Sequence, residues 1–246
     1  MRLQGKTAIV TGAGSGFGAG IARRFAAEGA GVAVVDIDAD AAHAIAAEIG
    51  GTAITCDVGD GASVDQMATA ARIAFGHIDI LVNNAGVTHL PAFMEDVTEA
   101  EFDRVLRVNV RSIYLTARAF VPAMKARKAG TILNMASTAA VSPRPRLNWY
   151  NASKGFVVTA TKAMAIELAP FGVRVNALNP VAGDTPLLRS FMGEDTPEIR
   201  AKFLASIPMG RFSTPEDLAN AALFLCSDEA SLITGVAMEV DGGRCI

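Results

Sequence analysis

The sequence TAIVT at residues 7–11 runs directly into GAGSGFG at residues 12–18. The apolar, β-branched residues are typical of a short buried strand, and the pattern from Ala19 to Glu28 is that of a helix. Glycines between a strand and a helix let the chain turn sharply and bring backbone N–H groups against a pyrophosphate. The stretch predicts the first strand, turn and helix of a dinucleotide-binding α/β fold. A tight packing turn without a ligand is the alternative.

Six further apolar runs alternate with helical patterns along the chain. Strands separated by a helix need crossover connections, which produce a parallel sheet with helices on both faces. Helix starts are indicated at Thr98 and Thr214, where a threonine cap precedes a carboxylate by three residues. The sequence therefore predicts an α/β fold with a Rossmann-type doubly wound sheet of seven parallel strands, in one domain over residues 1–246. The predicted strands are Thr7–Thr11, Val32–Asp36, Thr52–Cys56, Ile78–Asn83, Gly130–Met135, Arg174–Asn179 and Val236–Val240.

The composition excludes several other classes of protein. A chain of 246 residues with 51% hydrophobic and 19% charged residues can bury a sizeable core, which argues against a disordered or fibrous protein. A net charge of -3 without a basic run argues against a nucleic-acid partner, and no apolar run is long enough to span a membrane. Three cysteines and three histidines without ligand spacing predict no metal site and no disulfide framework. Because no leader pattern precedes the first strand, we expect a cytoplasmic protein.

A carboxylate ends the second predicted strand. Asp36 lies about 20 residues past the glycine turn, where dinucleotide-binding folds place an acid for the ribose 2′-hydroxyl. Such a carboxylate accepts hydrogen bonds from the ribose and repels a 2′-phosphate, and no Arg or Lys follows it through Asp40. The pattern favours NAD over NADP. A turn carboxylate without a ligand is the alternative.

Tyr150 and Lys154 lie one turn apart at the start of a predicted helix, on the same face. A phenol with a pKa of about 10 is a poor base at neutral pH, and lowering that pKa by roughly three units requires about 4 kcal/mol of stabilisation of the phenolate. The ammonium group and a positively charged nicotinamide would jointly supply this stabilisation. A Tyr/Lys pair at this spacing is also common on ordinary helix surfaces, so the pair alone does not establish chemistry.

Together these features resemble the short-chain dehydrogenase/reductase family over nearly the whole chain. The family pattern TGxxxGxG is met at residues 11–18, and its NNAG motif at residues 83–86. Asn109 stands where the family has a helix asparagine. Ser137 ends the fifth predicted strand at the usual spacing before the YxxxK motif, which is met at residues 150–154. The chain is identified as a member of this family because four motifs occur in the family's order.

The resemblance implies a role for each matching residue. Tyr150 would exchange a proton with the substrate oxygen, and Ser137 would hydrogen-bond the same oxygen. Lys154 would bind the nicotinamide ribose and lower the pKa of Tyr150. Asn109 would hold a proton-relaying water, unless it is a buried amide that satisfies helix carbonyls, and Asp57 would contact the adenine. The residues expected to bind the cofactor are Gly12, Ser15, Gly16, Phe17, Gly18, Asp36, Ile37, Asp57, Val58, Asn84, Ala85, Gly86, Tyr150, Lys154, Pro180, Gly183 and Thr185.

One position departs from the family pattern. Members commonly carry Pro-Gly after the sixth strand, but this chain has Pro180 followed by Val181. In the family, the backbone lies close to the nicotinamide there. Because Val181 carries a Cβ at this position, the resemblance does not predict the path of the backbone around Val181. Gly183 and Thr185 still match positions that hold the carboxamide and the phosphate.

The resemblance implies an NAD-dependent oxidoreductase that transfers a hydride between the cofactor and a secondary alcohol or ketone. One alternative is an NADPH-dependent 3-oxoacyl-carrier-protein-type reductase, which would need a basic residue near Ser15 or after Asp36. Another is a non-catalytic NAD-binding protein, which the presence of Ser137, Tyr150 and Lys154 disfavours. The motifs do not distinguish one alcohol or ketone from another.

An irregular stretch from about residue 180 to 209 predicts a lid over a substrate pocket. We expect a mainly apolar pocket, because most side chains that the resemblance brings near it are hydrophobic. The alternative is an anionic substrate held by the guanidinium groups of Arg144 and Arg146. The expected lining residues are His89, Leu90, Phe93, Val141, Leu187, Leu188, Phe191 and Met192.

Two predicted long helices, about Glu99 to Lys128 and about Trp149 to Ala169, carry more apolar positions than one core-facing stripe requires. Excess apolar surface is typical of an interface. The resemblance implies a homotetramer built through these helices and the carboxyl-terminal strand, which here ends in residues 242–246. The apolar positions used for this inference are Val105, Ile113, Leu115, Phe156, Val157 and Met164.

Overall fold

The protein is described by a computed structural model covering residues 1–194 and 196–246. In these residues, seven strands form one parallel sheet in the order β3-β2-β1-β4-β5-β6-β7. The strand order reverses between β1 and β4, which opens a crevice at their carboxyl ends. The predicted Rossmann-type sheet is confirmed. The strands are β1 Thr7–Thr11, β2 Gly31–Asp36, β3 Thr52–Thr55, β4 Ile80–Asn83, β5 Gly130–Met135, β6 Val173–Pro180 and β7 Ala237–Val240.

Helices cover both faces of the sheet, because successive strand residues bury apolar side chains on opposite faces. In β1, Val10 packs into the core under α1, α2 and α9, and Ile9 packs into the core under α3, α5 and α6. None of the helices in the described ranges is long and apolar enough to cross a membrane. The helices are α1 Gly16–Ala27, α2 Ala39–Ile49, α3 Gly61–Phe75, α4 Glu99–Leu106, α5 Ser112–Arg127, α6 Asn148–Leu168, α7 Leu188–Met192, α8 Pro197–Ala205 and α9 Pro215–Cys226.

Both predicted threonine caps are present. The Thr98 hydroxyl accepts a hydrogen bond from the backbone N–H of Glu101 and begins α4. Thr214 and Asp217 exchange side-chain to backbone hydrogen bonds and begin α9. Each pair satisfies donors that a helix start leaves unpaired, which explains why these starts are visible in the sequence.

The first long predicted helix is not continuous. A π-helical turn, Arg107–Arg111, separates α4 from α5 and carries the buried Asn109. The irregular stretch after β6 also contains more structure than predicted, since α7 and α8 lie within it. Short wide turns and short helices leave little periodicity in a sequence, so apolar patterning missed both features.

Most of the apolar positions expected to form an interface belong to the core. Val105, Ile113, Leu115 and Val157 are buried, so the expected surface role was wrong for them. Phe156 is exposed as expected. Helical periodicity predicts that one stripe of apolar residues is buried. When a helix has more apolar residues than one stripe can hold, the periodicity does not show which of them face the core. The other large apolar side chains exposed on α5 and α6 are Tyr114 and Ile166.

Candidate active site

A cavity of about 460 Å³ runs along the carboxyl ends of the strands. One end is bordered by the glycine turn and by Asp36, and we name it the nucleotide end. The other end is bordered by Ser137 and Tyr150, and we name it the reaction end. Of the predicted site residues, Gly18 and Asn109 are not among the lining residues, and all the others are.

The glycine turn requires two of its glycines for different reasons. Gly12 adopts a φ of 63°, a conformation that side chains disfavour, and a Cβ there would lie 2.8 Å from the Cα of Ala85. A Cβ on Gly18 would lie 2.1 Å from the carbonyl oxygen of Gly12. Gly18 therefore shapes the turn from behind rather than lining the cavity. Helix α1 begins after Ser15, and the Ser15 side chain makes no capping hydrogen bond. The first N–H groups of α1 are therefore uncapped beside the cavity.

The segment after β6 forms the opposite wall of the nucleotide end. The ring of Phe17 fills the space where a Gly183 side chain would lie, with 2.2 Å from the hypothetical Cβ to its Cζ. A Cβ on Gly16 would lie 3.3 Å from the Cβ of Thr185. Two segments that are far apart in the chain are therefore in contact beside the uncapped N–H groups that begin α1. Such N–H groups suit an anion such as a pyrophosphate.

The Asp36 carboxylate is held by backbone donors at the end of β2. Its Oδ2 accepts from the N–H of Gly14 at 2.8 Å, and its Oδ1 accepts from the N–H of Asp38 at 3.1 Å. In the described chain, Asp36 has no salt bridge to a cationic side chain. The carboxylate is therefore fixed in place at the edge of the cavity.

Asp57 lines the cavity but already has partners. The guanidinium of Arg107 donates to its Oδ2 at 2.6 Å, and the N–H of Gly59 donates to its Oδ1 at 2.9 Å. The expected contact with the adenine stays a prediction, in which Arg107 would share the carboxylate. The pairing of Asp57 with Arg107 was not visible in the sequence, because the two residues lie on different elements.

The asparagines after β4 tie the central strands together. The Asn84 side chain donates to the carbonyl oxygens of Thr11 and Gly12 at 2.8 and 3.0 Å. Asn83 donates to Asn134 on β5 and accepts from Thr116 on α5. Both amides stabilise the crevice edge. Asn84 also lines the cavity. Asn83 does not line it, and its side chain connects β4 to β5 and α5.

Tyr150 and Ser137 meet at the reaction end. Ser137 follows β5, and its hydroxyl accepts from the N–H of Ala139 at 3.1 Å. Tyr150 is in the first turn of α6, with its ring 5.0 Å from that of Phe191. Burial raises the pKa of Tyr150 to about 12, although the Ser137 hydroxyl and the charge of Arg144 oppose this rise. The protein's own groups therefore keep the phenol neutral at physiological pH.

Lys154 lies one turn after Tyr150 and is buried. Its Nζ donates to the carbonyl oxygen of Met135 at 2.7 Å and lies 5.9 Å from the centre of the Tyr150 ring. Burial lowers the pKa of Lys154 to about 8. A Cβ on Gly86 would lie 3.4 Å from this Nζ, so the missing side chain leaves the ammonium group open to the cavity.

Asn109 occupies the π-helical turn behind Lys154. Its side-chain amide exchanges two hydrogen bonds of 2.9 Å with the backbone of Val87, and it donates to the Ser153 hydroxyl at 3.0 Å. The amide thus connects the loop after β4 to α6. The wide turn directs this side chain inward, and the water-relay role stays a prediction.

The pocket at the reaction end differs from the expected one. Leu187 and Phe191 line it as expected, and Leu147, Phe203 and Arg144 line it as well. Phe203 belongs to α8, and no pattern in the sequence indicated that this helix reaches the cavity. Arg146 instead stacks on Phe93 with 4.6 Å to the ring centre. The expected lining residues that do not border the cavity are His89, Leu90, Phe93, Val141, Leu188 and Met192.

Comparisons with known proteins identify relatives of this chain. A family model described as Enoyl-(Acyl carrier protein) reductase matches residues 12–244. The 4-formylbenzenesulfonate dehydrogenase of Comamonas testosteroni is 48% identical over 100% of both chains. The D-threitol dehydrogenase of Mycolicibacterium smegmatis is 41% identical over 100% of this chain and 95% of its own. These matches span almost the whole sequence.

The chain belongs to the short-chain dehydrogenase/reductase family. A solved structure supports the same assignment, that of 3-ketoacyl-(acyl-carrier-protein) reductase from Brucella melitensis complexed with NADH. It superposes with a TM-score of 0.95 at 54% identity and covers 99% of this chain and 100% of that chain. This short-chain dehydrogenase/reductase is accordingly an oxidoreductase that works with a nicotinamide cofactor and acts on CH–OH groups.

The structure explains how this short-chain dehydrogenase/reductase tolerates Val181. No positive φ occurs there, since Lys128 and Arg146 are the non-glycine residues with positive φ in the described ranges. The Val181 backbone continues toward β7, donating to the carbonyl oxygen of Val240 at 3.3 Å. Val181 is buried and borders the cavity, so its side chain forms part of the wall.

Proposed function

We propose that this protein is an NAD-dependent oxidoreductase that interconverts a small secondary alcohol and its ketone, with Tyr150 as the residue that exchanges the proton. The observation that carries the proposal is the convergence of Tyr150, Ser137 and Lys154 at one end of a cavity whose other end holds Asp36 and the glycine turn. A nicotinamide dinucleotide laid along this cavity would have its ribose at Asp36 and its reactive ring at Tyr150.

The residues present fit a nicotinamide cofactor. The uncapped N–H groups at the start of α1 would hold the diphosphate, and Lys154 and Gly86 line the cavity where the second ribose would lie. The charge of Asp36 favours the 2′-hydroxyl of NAD over the 2′-phosphate of NADP, since no cationic side chain is paired with it. When bound, the nicotinamide supplies the hydride acceptor or donor.

The chain's own residues would handle the substrate oxygen. The Ser137 hydroxyl, oriented by the N–H of Ala139, would donate to that oxygen and hold the carbinol carbon against the cofactor. In the reductive direction Tyr150 Oη would give its proton to the oxygen, and in the oxidative direction it would receive one. Lys154 would donate to the ribose and stabilise the phenolate that forms.

A second candidate is reduction of a 3-ketoacyl group on a carrier protein. It is favoured by the Brucella melitensis structure, whose title names that activity and a complex with NADH. The Comamonas testosteroni relative is named for 4-formylbenzenesulfonate, a compact aromatic aldehyde. The aromatic walls of the reaction end, Phe191 and Phe203, support a compact ring better than a carrier-bound chain.

We also propose that the protein assembles as a homotetramer through α5 and α6. The support is the exposure of three large side chains on these helices, Tyr114 at 60%, Phe156 at 44% and Ile166 at 80%. Light scattering at micromolar concentration should give a tetramer mass, and a monomer mass would contradict this part of the proposal.

Cofactor titration tests the proposed function. NADH should bind at least about tenfold more tightly than NADPH, a difference of about 1.4 kcal/mol. In Asp36→Ala the two affinities should converge, because the like charge facing the 2′-phosphate is gone. The matched control is Asp38→Ala, which removes the cap of α2 but should preserve the preference. Equal affinities of the wild-type protein for the two cofactors would overturn the NAD assignment.

A further inference from the structure

Arg144 is a partly buried cation at the reaction end that lacks a counter-ion. Its guanidinium lies over the ring of Phe203, 4.1 Å from the ring centre. Its Nη2 is buried and has no hydrogen-bond partner. Unpaired donors on a buried charge are costly, and proteins normally pair them. The cavity wall therefore holds a fixed positive group with an unused donor.

The surroundings of Arg144 are positive rather than negative. Among neighbouring charges, that of Arg244 affects it most. The Nη1 of Arg244 donates to the Ser142 hydroxyl at 3.0 Å, and its Nε is also buried without a partner. Burial, together with Arg244, lowers the pKa of Arg144 to about 10, so the guanidinium still keeps its charge at neutral pH. The carboxylates that line the cavity, Asp36 and Asp57, belong to the nucleotide end.

Other cations of the cavity have partners. Arg107 pairs with Asp57, Arg104 donates to the carbonyl oxygen of Thr88, and Lys154 donates to that of Met135. Arg146, two residues after Arg144, stacks on Phe93 away from the cavity. Arg144 thus differs from each of them in presenting a buried, unpaired donor at the reaction end.

We propose that Arg144 binds an anionic group of the substrate, a carboxylate or a sulfonate, at the end of the molecule opposite its reacting oxygen. The inference rests on the proposed function and specifies its substrate class. Leu147, Leu187, Phe191 and Phe203 would enclose the apolar body, and Arg144 would donate to the anion. Arg144 and Tyr150 both line the reaction end, so one compact molecule would reach both. Arg244 would reinforce the positive field.

Pairs of ketones with similar shapes but different charges distinguish the effect of substrate charge on KM from the effect of substrate shape. The probes are 4-acetylbenzoate with its methyl ester, and 4-acetylbenzenesulfonate with the corresponding sulfonamide. Reduction is followed by NADH absorbance, and KM is recorded separately from kcat because removing Arg144 also removes a charge that lowers the Tyr150 pKa. We expect at least one acid of the two pairs to have a KM about tenfold or more below that of its neutral partner.

Variants then assign the effect to one side chain. Arg144→Ala should raise the KM of the preferred acid about tenfold or more and leave the neutral partner within about threefold. Arg144→Lys should retain part of the preference, since a charge remains without the planar fork. Arg146→Ala is the matched control and should leave both values within about threefold. The preferred pair distinguishes carboxylate from sulfonate recognition.

Two outcomes would overturn the inference. One is equal KM values for the acids and their neutral partners in the wild-type protein, and the other is an Arg144→Ala variant that changes acid and neutral probe alike. In both cases the wild-type protein would still bind NADH and reduce the neutral ketones, so the proposed function would stand. Failure to bind NADH or to reduce any of the ketones would instead count against the proposed function.

Discussion

The carboxylates at the nucleotide end of the cavity are hydrogen-bonded by the protein itself, whereas the ionisable groups at the reaction end are shifted toward their neutral forms. At the nucleotide end Asp36 accepts two backbone N–H groups, and Asp57 accepts from Arg107 and Gly59. At the reaction end Tyr150 and Lys154 are buried and Arg144 is partly buried, and burial shifts the pKa of each against its charged form. The first region is built for binding, and the second holds charge at a cost that a substrate and a cofactor would relieve.

The largest effect on activity should come from removing the hydroxyl of Tyr150 at the reaction end while leaving the nucleotide end unchanged. Tyr150→Phe keeps the ring and its packing on Phe191 but deletes the hydroxyl. We expect kcat to fall by about 10³-fold, since positioned acid–base groups contribute on this scale. The affinity for NADH, measured by fluorescence titration, should stay within about threefold. A variant that retains a tenth of the wild-type rate would contradict the role of Tyr150.

A change in the glycine turn should instead weaken cofactor binding at the nucleotide end. In Gly18→Ala the added Cβ would lie 2.1 Å from the carbonyl oxygen of Gly12 and 2.5 Å from Nδ2 of Asn84, so the turn must move. We expect NADH affinity to fall about 100-fold, measured by the same titration. The control is Gly61→Ala, where the Cβ would meet Leu115 at an ordinary 3.6 Å. Binding of NADH by Gly18→Ala at wild-type strength would show that the turn does not form the site.

A smaller effect concerns the stability of the folded protein, which should increase when the buried ammonium group of Lys154 is removed. The pKa of Lys154 is lowered from 10.5 to about 8 in the folded protein. Below about pH 8 both states are protonated and the folded chain carries the full cost of a buried charge. Between about pH 8 and pH 10.5 the unfolded state binds more protons, so stability rises with pH.

Lys154→Met should therefore stabilise the protein while abolishing activity. At pH 7 we expect a gain of about 2 kcal/mol, which raises Tm by roughly 4–8 °C in a chain of this size, after allowing for the lost hydrogen bond to Met135. Scanning calorimetry at equal protein concentrations should show this gain shrinking as the pH increases toward 10.5. A lower Tm for Lys154→Met at pH 7 would show that the buried ammonium group contributes to stability.

The same contrast explains what the sequence could predict. The nucleotide end depends on local patterns, in which a glycine turn and a strand-end Asp36 are read directly from neighbouring residues. Tyr150, Lys154 and Ser137 were found because their spacing matches a family motif. Phe203 and the unpaired Arg144 reach the cavity through tertiary packing of α8 and of the loop before α6, which leaves no local pattern. For the same reason Arg144 and Arg146 could not be distinguished until the structure separated them.

The most direct test of the account is the ionisation of Tyr150 itself. The chain has two tyrosines, so Tyr114→Phe leaves Tyr150 as the single reporter, and a carbon-13 label at its Cζ follows the phenol by NMR. Without cofactor the pKa should lie near 12, because burial keeps the phenol neutral. With saturating NAD⁺ we expect the pKa to fall by about two units or more, because the positive charge of the nicotinamide stabilises the phenolate. A pKa near 7 without cofactor, or one that NAD⁺ leaves unchanged, would contradict the account.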